Sequence, residues 1–238
     1  MSNSAGDSST MLGQTKKQIL RRFLRLQCTG LWLTSAKFRY QPIPSGLSIP
    51  GFRLKGTRPC DDRLTIVKQH LPENSRNVLD LGSNTGYYLF ELARLGYLCH
   101  GLEQDPDLVF YTSLVNHLVG IPGVSCECGR LDFSFLDRTP SYDVILCLSI
   151  MHHILMAKGM EFAEAILQSL VSKTNHVLFF EMGQSNEIHA DWSKRLSLME
   201  PDPETWISQW LIKSGFRHVK TIGTSYTTAS RFLFAAYP

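Results

Sequence analysis

The chain has 238 residues, of which 43% are hydrophobic and 19% charged, so it is long enough to bury a core and too apolar for general disorder. No apolar run approaches the roughly 18 residues that a membrane-spanning helix requires, and we therefore expect a soluble globular protein. The net charge of +3 is unevenly divided: the first 60 residues hold ten Lys and Arg against Asp7 alone (+9), whereas the other 178 hold 14 basic and 20 acidic residues (−6). This split predicts a boundary near residue 60 between two electrostatically different parts.

The segment before this boundary predicts a basic N-terminal extension. Residues 1–14 are small and polar, and we expect them to be a disordered tail. Within residues 15–60 the spacing of Ile19, Leu20, Phe23 and Leu24 predicts an amphipathic helix whose basic residues lie on its other faces. Two interpretations stay open for this extension: a transit peptide, or an arm that contacts an anionic partner such as RNA, a phosphorylated acceptor or membrane headgroups.

The cysteines indicate a reducing compartment. They form no CxxC pair and no spacing typical of a secreted disulfide framework, and several lie in apolar, strand-like runs where a reduced Cys packs as a small hydrophobe. The six are Cys28, Cys60, Cys99, Cys126, Cys128 and Cys147. We expect a cytoplasmic protein, with peripheral membrane association or organelle targeting left open by the N-terminal extension.

From residue 63 onward, short apolar runs alternate with helical segments, which indicates an α/β doubly wound sheet. The predicted helices cover residues 63–71, 87–96, 106–120, 160–171 and 203–215. The predicted strands cover residues 77–82, 97–103, 123–129, 142–149 and 176–181. Residues 216–223 and 230–237 predict a terminal antiparallel hairpin.

The loop Asp80-Leu81-Gly82-Ser83-Asn84-Thr85-Gly86 ends the first predicted strand and begins the following helix. Gly82 and Gly86 permit a sharp turn and a close approach of a ligand to the backbone, and the amides at the helix start are donors for an anionic group. Glu103 ends the second strand, where a carboxylate can accept both hydroxyls of a ribose. The loop reads GxNxG after an acid rather than GxGxxG, so it suits a cationic ligand head better than a pyrophosphate.

These residues resemble the first two motifs of the class I S-adenosylmethionine-dependent methyltransferases, and the resemblance extends over roughly residues 75–238. It implies a Rossmann-like fold, with a mostly parallel seven-stranded sheet and a terminal antiparallel hairpin, in a methyltransferase domain at residues 61–238. It also implies S-adenosyl-L-methionine as the cofactor, with Glu103 on the ribose and Asp132 near the adenine. The expected cofactor-binding residues are Asp80, Gly82, Ser83, Asn84, Gly86, Glu103, Asp132 and Ser149. Asn84 stands where this family often has Gly.

The ends of the fourth and fifth strands supply the candidate catalytic residues, since ligands of doubly wound sheets bind outside the carboxyl ends of the strands. The segment LSIMHHI resembles the fourth motif of many family members, in which one His of such a pair faces the cleft. A neutral imidazole can take a proton from an acceptor hydroxyl, so His152, His153 and Glu181 are the candidates. A packing role for either His stays open.

Three residues outside the motifs are candidates for contact with the acceptor: Arg58, His189 and Trp192. Arg58 precedes the first helix and can reach a phosphate or carboxylate, whereas Trp192 can stack on a sugar or a base. Glu181, Glu187 and His189 together with the His pair also make a conceivable metal set, but scattered acids and imidazoles are usually not ligands and we expect no metal.

The absence of two methyltransferase motifs narrows the choice of the acceptor atom. No [DN]PP[YF] follows the fourth strand, and no Pro-Cys nucleophile stands there. The sequence therefore favours O-methylation of a small-molecule, saccharide or phosphorylated acceptor. An RNA-modifying enzyme that uses the basic arm, a non-catalytic cofactor-binding or scaffolding protein, and a nicotinamide-dependent reductase are the alternatives, although GxNxG disfavours the reductase.

Overall fold

The computed structural model describes residues 5–42, 44, 56–187, 190–226 and 230–238, with the backbone alone described for residues 5–14, Lys17 and Tyr226. Within these residues seven strands form one sheet. They are β1 (Asn77–Leu81), β2 (Leu98–Glu103), β3 (Val124–Cys128), β4 (Tyr142–Leu148), β5 (Thr174–Glu181), β6 (His218–Tyr226) and β7 (Ser230–Tyr237). The helices are α1 (Ala5–Thr34), α2 (Asp61–Gln69), α3 (Tyr87–Ala93), α4 (Pro106–Val119), α5 (Phe133–Arg138), α6 (Met151–Lys158), α7 (Met160–Lys173) and α8 (Pro203–Lys213).

The strand order is β3-β2-β1-β4-β5-β7-β6. Strands β1 to β5 pair in parallel, while β7 lies between β5 and β6 and is antiparallel to both. This arrangement confirms the predicted doubly wound, mostly parallel seven-stranded sheet with a terminal antiparallel hairpin. Strand β6 runs further than predicted, to Tyr226, and residues 227–229 of the predicted link lie outside the described residues.

The central strands are apolar on both faces because helices cover both. Along β4, Ile145 and Cys147 face a core formed with α7 and α8, whereas Val144 and Leu146 face a core formed with α2 and α3. Helix α4 begins as predicted, with Pro106 at its start and the Asp105 side chain accepting the Asp107 N–H. Helices α5 and α6 were not predicted.

The N-terminal extension folds onto α4. Leu24, Cys28 and Leu31 of α1 join a third hydrophobic cluster that includes Tyr111 and Val115 of α4. Residues 5–14, which we expected to be disordered, are helical instead, because each residue added to an existing helix gains a hydrogen bond without a new nucleation cost. Residues 1–4 lie outside the described residues. No described helix is both long and apolar enough to cross a bilayer.

Candidate active site

A cavity of about 830 Å³ opens at the carboxyl ends of β1, β2 and β4, the edge at which doubly wound sheets bind ligands. Its size is typical of a small-molecule or cofactor site. Seven of the predicted site residues line it: Asp80, Gly82, Asn84, Glu103, Asp132, Ser149 and His153. Residues that we had not assigned to the site also line it: Tyr40, Gln41, Arg63, Tyr88, Gln104, Arg130, Lys158 and Phe162.

The loop after β1 has the backbone conformation that its sequence requires. Gly82 has a φ of +69°, and a Cβ there would lie 2.7 Å from Cδ1 of Ile150, so no larger residue fits without displacement. Asn84 has a φ of +53°, which explains why Asn stands where the family often has Gly: Asn tolerates the left-handed region better than most residues. The loop therefore presents its backbone at the wall of the cavity.

Two predicted cofactor residues of this loop support it without lining the cavity. Gly86 begins α3 with a φ of +81°, and a Cβ there would lie 2.8 Å from Cγ2 of Thr112. The Ser83 side chain is fully buried, with its Oγ 3.4 Å from Sγ of Cys126. The tight turn directs the Ser83 side chain behind the loop, towards β2 and β3, so the lining of the cavity does not support the predicted cofactor-binding role of Ser83.

Glu103 is held in place by two backbone amides. Its Oε2 accepts the Asn84 N–H at 2.9 Å and its Oε1 accepts the Asp105 N–H at 2.9 Å. Each carboxylate oxygen has a further lone pair, so the side chain can still accept hydroxyl groups from the cavity. Asp132, across the cavity, caps α5 by accepting the Phe135 N–H at 2.9 Å.

Asp80 is the most perturbed carboxyl group of the cavity. It is 2% exposed, and its Oδ2 has no hydrogen-bond partner among the described residues. Burial, reinforced by the negative charge of Glu103 and opposed by the positive charge of Arg63, raises the pKa of Asp80 to about 8. A buried acceptor without a partner is costly, so this oxygen suits a cationic or donor group of a ligand.

Arg63 supplies a buried positive charge to the same cavity. It lies in α2 with its side chain about 6% exposed, and its Nε has no hydrogen-bond partner among the described residues. Arg63 was not predicted as a site residue because an Arg in the first turns of a helix is usually solvated. The only available signal was its position, one residue after the acids that begin the helix.

The two histidines of LSIMHHI occupy different environments. His152 is buried, its Nδ1 accepts the Gly183 N–H at 3.1 Å, and its ring centroid lies 5.0 Å from that of Trp192. Burial, with smaller effects from His153 and Arg231, lowers the pKa of His152 to about 2. His152 is outside the lining of the cavity, so its predicted catalytic role is not supported by the geometry.

His153 is the imidazole that the cavity contains. Its ring centroid lies 4.0 Å from that of His152, while the residue itself is exposed at the cavity lining. Desolvation, followed by the charge of Arg231, lowers the pKa of His153 below its ordinary value. The ring is therefore neutral at pH 7 and able to accept a proton.

Glu181 lies behind the cavity wall with no exposed surface. Nη1 of Arg63 and Nη1 of Arg231 each lie 3.3 Å from its Oε1. Ser149 donates to Oε1 at 2.7 Å, and the Ser225 hydroxyl donates to Oε2. A carboxylate with four partners is not free to act as a base, so the geometry does not support the predicted catalytic role of Glu181 and favours a role in positioning Ser149 and Arg63.

The buried network continues from Glu181 to Glu187. Arg231 donates from Nε to Oε1 of Glu187 at 2.8 Å and from Nη2 to Oε2 at 3.0 Å, a bidentate pair between β7 and the loop after β5. Trp192 lies over Arg231, with its ring centroid 5.7 Å from the guanidinium carbon. The indole also packs closely against Gly183, because a Cβ at that position would lie 2.4 Å from the ring. Trp192 is therefore part of the wall behind the cavity, and the predicted stacking on an acceptor is not supported.

Of the remaining acceptor candidates, Arg58 is described by the structure and is outside the lining of the cavity. Arg58 lies 5.9 Å from the ring centroid of Tyr40, and its backbone N–H donates to the Tyr40 carbonyl. His189 lies outside the described residues. Within the described part of the chain, no three His, Cys, Asp or Glu side chains are grouped as metal ligands would be.

The strand order with an antiparallel β7, the glycine loop after β1 and the acid at the end of β2 are the features by which the sequence resembles the class I S-adenosylmethionine-dependent methyltransferases, and the comparisons with known proteins agree with that resemblance. A relative from Desulforapulum autotrophicum, 28% identical over 169 residues, is named tRNA U34 carboxymethyltransferase; the match covers 64% of this chain and 48% of the relative. A protein of the same name from Nautilia profundicola is 23% identical and is matched over 68% of this chain and 54% of its own length. The chain thus spans about half the length of the curated relatives it matches.

Solved structures share the fold. The bifunctional kinase-methyltransferase WbdD superposes with a TM-score of 0.69 at 19% identity, over 84% of this chain and 44% of WbdD. The N-terminal domain of EvdMO1, crystallised in the presence of SAH and D-fucose, superposes with a TM-score of 0.63 at 17% identity, over 91% of this chain and 96% of that domain. No family model matches the chain.

Proposed function

We propose that this chain binds S-adenosylmethionine in the cavity and transfers its methyl group to an oxygen of an acceptor. The observation that carries the proposal is the unpartnered, buried Oδ2 of Asp80 in a cavity that also contains Arg63. The methionine part of the cofactor is a zwitterion: its ammonium group can donate to Asp80, and its carboxylate can accept from Arg63. Asp80 and Arg63 each have a buried polar atom without a partner among the described residues, which costs free energy in the unliganded protein. Both side chains are complementary to the charges of this ligand.

The other lining residues fit the rest of the cofactor. Glu103 is oriented by two backbone amides to accept the ribose hydroxyls, and Asp132 lies on the wall where the adenine would bind. Gly82 lets the loop backbone approach the ligand. When bound, the cofactor supplies an electrophilic methyl group on a sulfonium sulfur.

His153 is the proposed base for the acceptor. It lines the cavity, and its lowered pKa keeps the ring neutral at pH 7, so it can remove the proton of an attacking hydroxyl. The exposed cations Arg130 and Lys158 line the same cavity and suit a phosphorylated or otherwise anionic acceptor. A saccharide is a further candidate for the acceptor, since a domain of the same fold, that of EvdMO1, was crystallised in the presence of SAH and D-fucose.

RNA is the second candidate acceptor. The curated relatives named here are tRNA U34 carboxymethyltransferases, and the +9 charge of the first 60 residues is suited to phosphates. The name of these relatives also makes a carboxymethyl group a candidate for the group that is transferred. The free cysteines of the structure support a reducing compartment such as the cytoplasm for either reaction.

Calorimetric titration with S-adenosylmethionine tests the cofactor assignment. Glu103→Ala should weaken binding at least about tenfold, because one or two charge-assisted hydrogen bonds of about 1.5–3 kcal/mol each are lost. Glu127→Ala is the matched control, since Glu127 lies on the neighbouring β3, pairs with Arg138 and is outside the cavity lining. Unchanged affinity in the Glu103 variant would refute the site.

Turnover distinguishes the acceptors. The protein is incubated with cofactor and either a small-molecule extract or purified total RNA, and S-adenosylhomocysteine is measured against the Glu103 variant. Formation with the small-molecule extract alone supports the first proposal, and formation with RNA alone supports the second. No product in either mixture, with cofactor binding intact, would identify a non-catalytic binding protein.

A further inference from the structure

Helix α1 carries a row of exposed apolar side chains. They are Ile19 (62% exposed), Leu20 (54%), Phe23 (56%), Leu26 (72%) and Leu33 (49%), hereafter the α1 stripe. Single exposed apolar residues are ordinary, but a continuous row along one helix marks an interaction site.

The α1 stripe is separate from the face by which α1 packs on its own domain. Ile19 and Cys28 are nine residues apart, which is about two and a half helical turns, so they lie on opposite sides of the helix. Cys28 is fully buried against the α4 cluster, with Leu24 and Leu31 beside it. Docking on α4 therefore leaves most of the stripe facing outward.

The charged side chains described as exposed on the same helix are all basic. Lys16, Arg21, Arg22 and Arg25 are exposed, and no acidic residue occurs between residues 8 and 60. The ion pairs of the described residues involve none of these four cations. Their charge is available to an external anionic surface.

We propose that α1 lies flat on an anionic lipid membrane, with the α1 stripe inserted at the headgroup–acyl boundary and the basic side chains on the lipid phosphates. An exposed apolar face combined with uncompensated Lys and Arg is the signature of an interfacial helix. RNA would use the cations but would leave the aliphatic residues Ile19, Leu20 and Leu26 in water. This interaction goes beyond the proposed methyl transfer and does not depend on it.

Membrane contact through α1 would hold the cavity close to the surface. Helix α1 leads into a 3₁₀ turn at Ala36–Arg39, and Lys37 of this turn pairs with Asp105 and Asp107 at the start of α4. Gln41, which follows, lines the cavity and accepts the Tyr87 N–H at 3.2 Å. The docked helix and the cavity are therefore joined by a short, hydrogen-bonded segment.

Flotation of the full chain with lipid vesicles tests the proposal. The protein should float with phosphatidylcholine vesicles that contain 30% phosphatidylserine. Pure phosphatidylcholine vesicles should retain at least about tenfold less protein, because each Lys or Arg near an anionic surface contributes favourable binding free energy. Ile19→Ser/Phe23→Ser should lower partitioning onto the anionic vesicles at least tenfold, and Arg21→Glu/Arg22→Glu should do the same. Ile212→Ser on α8, where the Ile is 51% exposed, is the matched control and should bind as the unchanged protein does.

Other outcomes would overturn the proposal. If purified tRNA but not anionic vesicles retains the protein, and only the Arg variant loses it, the helix binds RNA. If the protein self-associates in sedimentation velocity, fails to bind vesicles, and the Ile19/Phe23 variant is monomeric, the stripe is a dimer interface. Equal vesicle binding by the Ile19/Phe23 variant and the unchanged protein would also refute it. Circular dichroism and cofactor titration of each variant establish that the fold is intact.

Discussion

Replacing Glu181 with Gln tests whether this carboxylate is part of the framework or of the chemistry. It is fully buried, and its charge balances the guanidinium groups of Arg63 and Arg231, each 3.3 Å away. Gln keeps the size and one acceptor oxygen, but it leaves Arg63 without the carboxylate with which it pairs and leaves Arg231 paired with Glu187. Removing one partner of a buried ion pair costs about 3–5 kcal/mol, so we expect Glu181→Gln to lower the free energy of unfolding by about 3 kcal/mol.

Urea unfolding followed by tryptophan fluorescence measures this change. Glu164→Gln is the matched control because Glu164 pairs at 3.0 Å with Lys213, whose side chain is 69% exposed. A pair of that kind contributes about 0–1 kcal/mol, so the control should unfold at nearly the same urea concentration as the unchanged protein.

The opposite pattern would contradict the structural assignment. If Glu181 acts as a base, Glu181→Gln leaves the unfolding free energy within about 1 kcal/mol of the original value and instead lowers kcat by about 10²-fold or more. A stability loss with no further loss of kcat in the folded fraction would exclude catalysis by this group.

Four further predictions concern the cavity. Because the pKa of Asp80 is raised from 3.8 to about 8, cofactor binding at pH 7 should release a proton as the carboxyl group ionises. Calorimetric titration in buffers of different ionisation enthalpy should detect this proton release in the unchanged protein and none in Asp80→Asn. The same shift makes the unliganded protein lose stability as pH rises from about 4 to 8, and Asp80→Asn should remove that slope in urea titrations. His153→Asn should lower kcat about 10²-fold with little change in the free energy of unfolding, whereas His152→Ala should lower the free energy of unfolding by about 2–3 kcal/mol. Equal effects of the two variants would refute the assignment of His153 as the base and His152 as a packing residue. Gly82→Ala should weaken cofactor affinity, and Ile150→Val should partly restore it by removing the Cδ1 atom that lies 2.7 Å from the new Cβ; no recovery would show that the positive φ alone is responsible.

The fold was predictable because its signals are local and repeated. The buried strands are continuous apolar runs, and Gly96, Gly120 and Gly215 all have positive φ near the ends of helices, where a left-handed residue is expected. Helix α6 was missed because Met151–Lys158 follows a buried strand with no clear helical period. Helix α5 has six residues, too few for any periodicity to show.

The cofactor side of the site was also largely predictable, since the residues follow strand ends in sequence. The side of the cavity at Arg63 was not. Arg63 and Arg231 meet around Glu181 from positions at least 50 residues away, and each looks like an ordinary helix or strand residue when read alone. Their association depends on β7 lying beside β5, a tertiary fact that no short motif encodes.

Glu181 and Asp80 show why position at a strand end was insufficient to assign chemistry. Both are carboxyl groups at the same edge of the sheet, and both are almost fully buried. The protein supplies Glu181 with four partners, whereas it leaves one oxygen of Asp80 without any among the described residues. A satisfied carboxylate stabilises the fold and gains nothing from a ligand, while an unsatisfied one is stabilised when a cation arrives. Hydrogen-bond saturation, rather than sequence position, therefore separates the framework acid from the binding acid in this cavity.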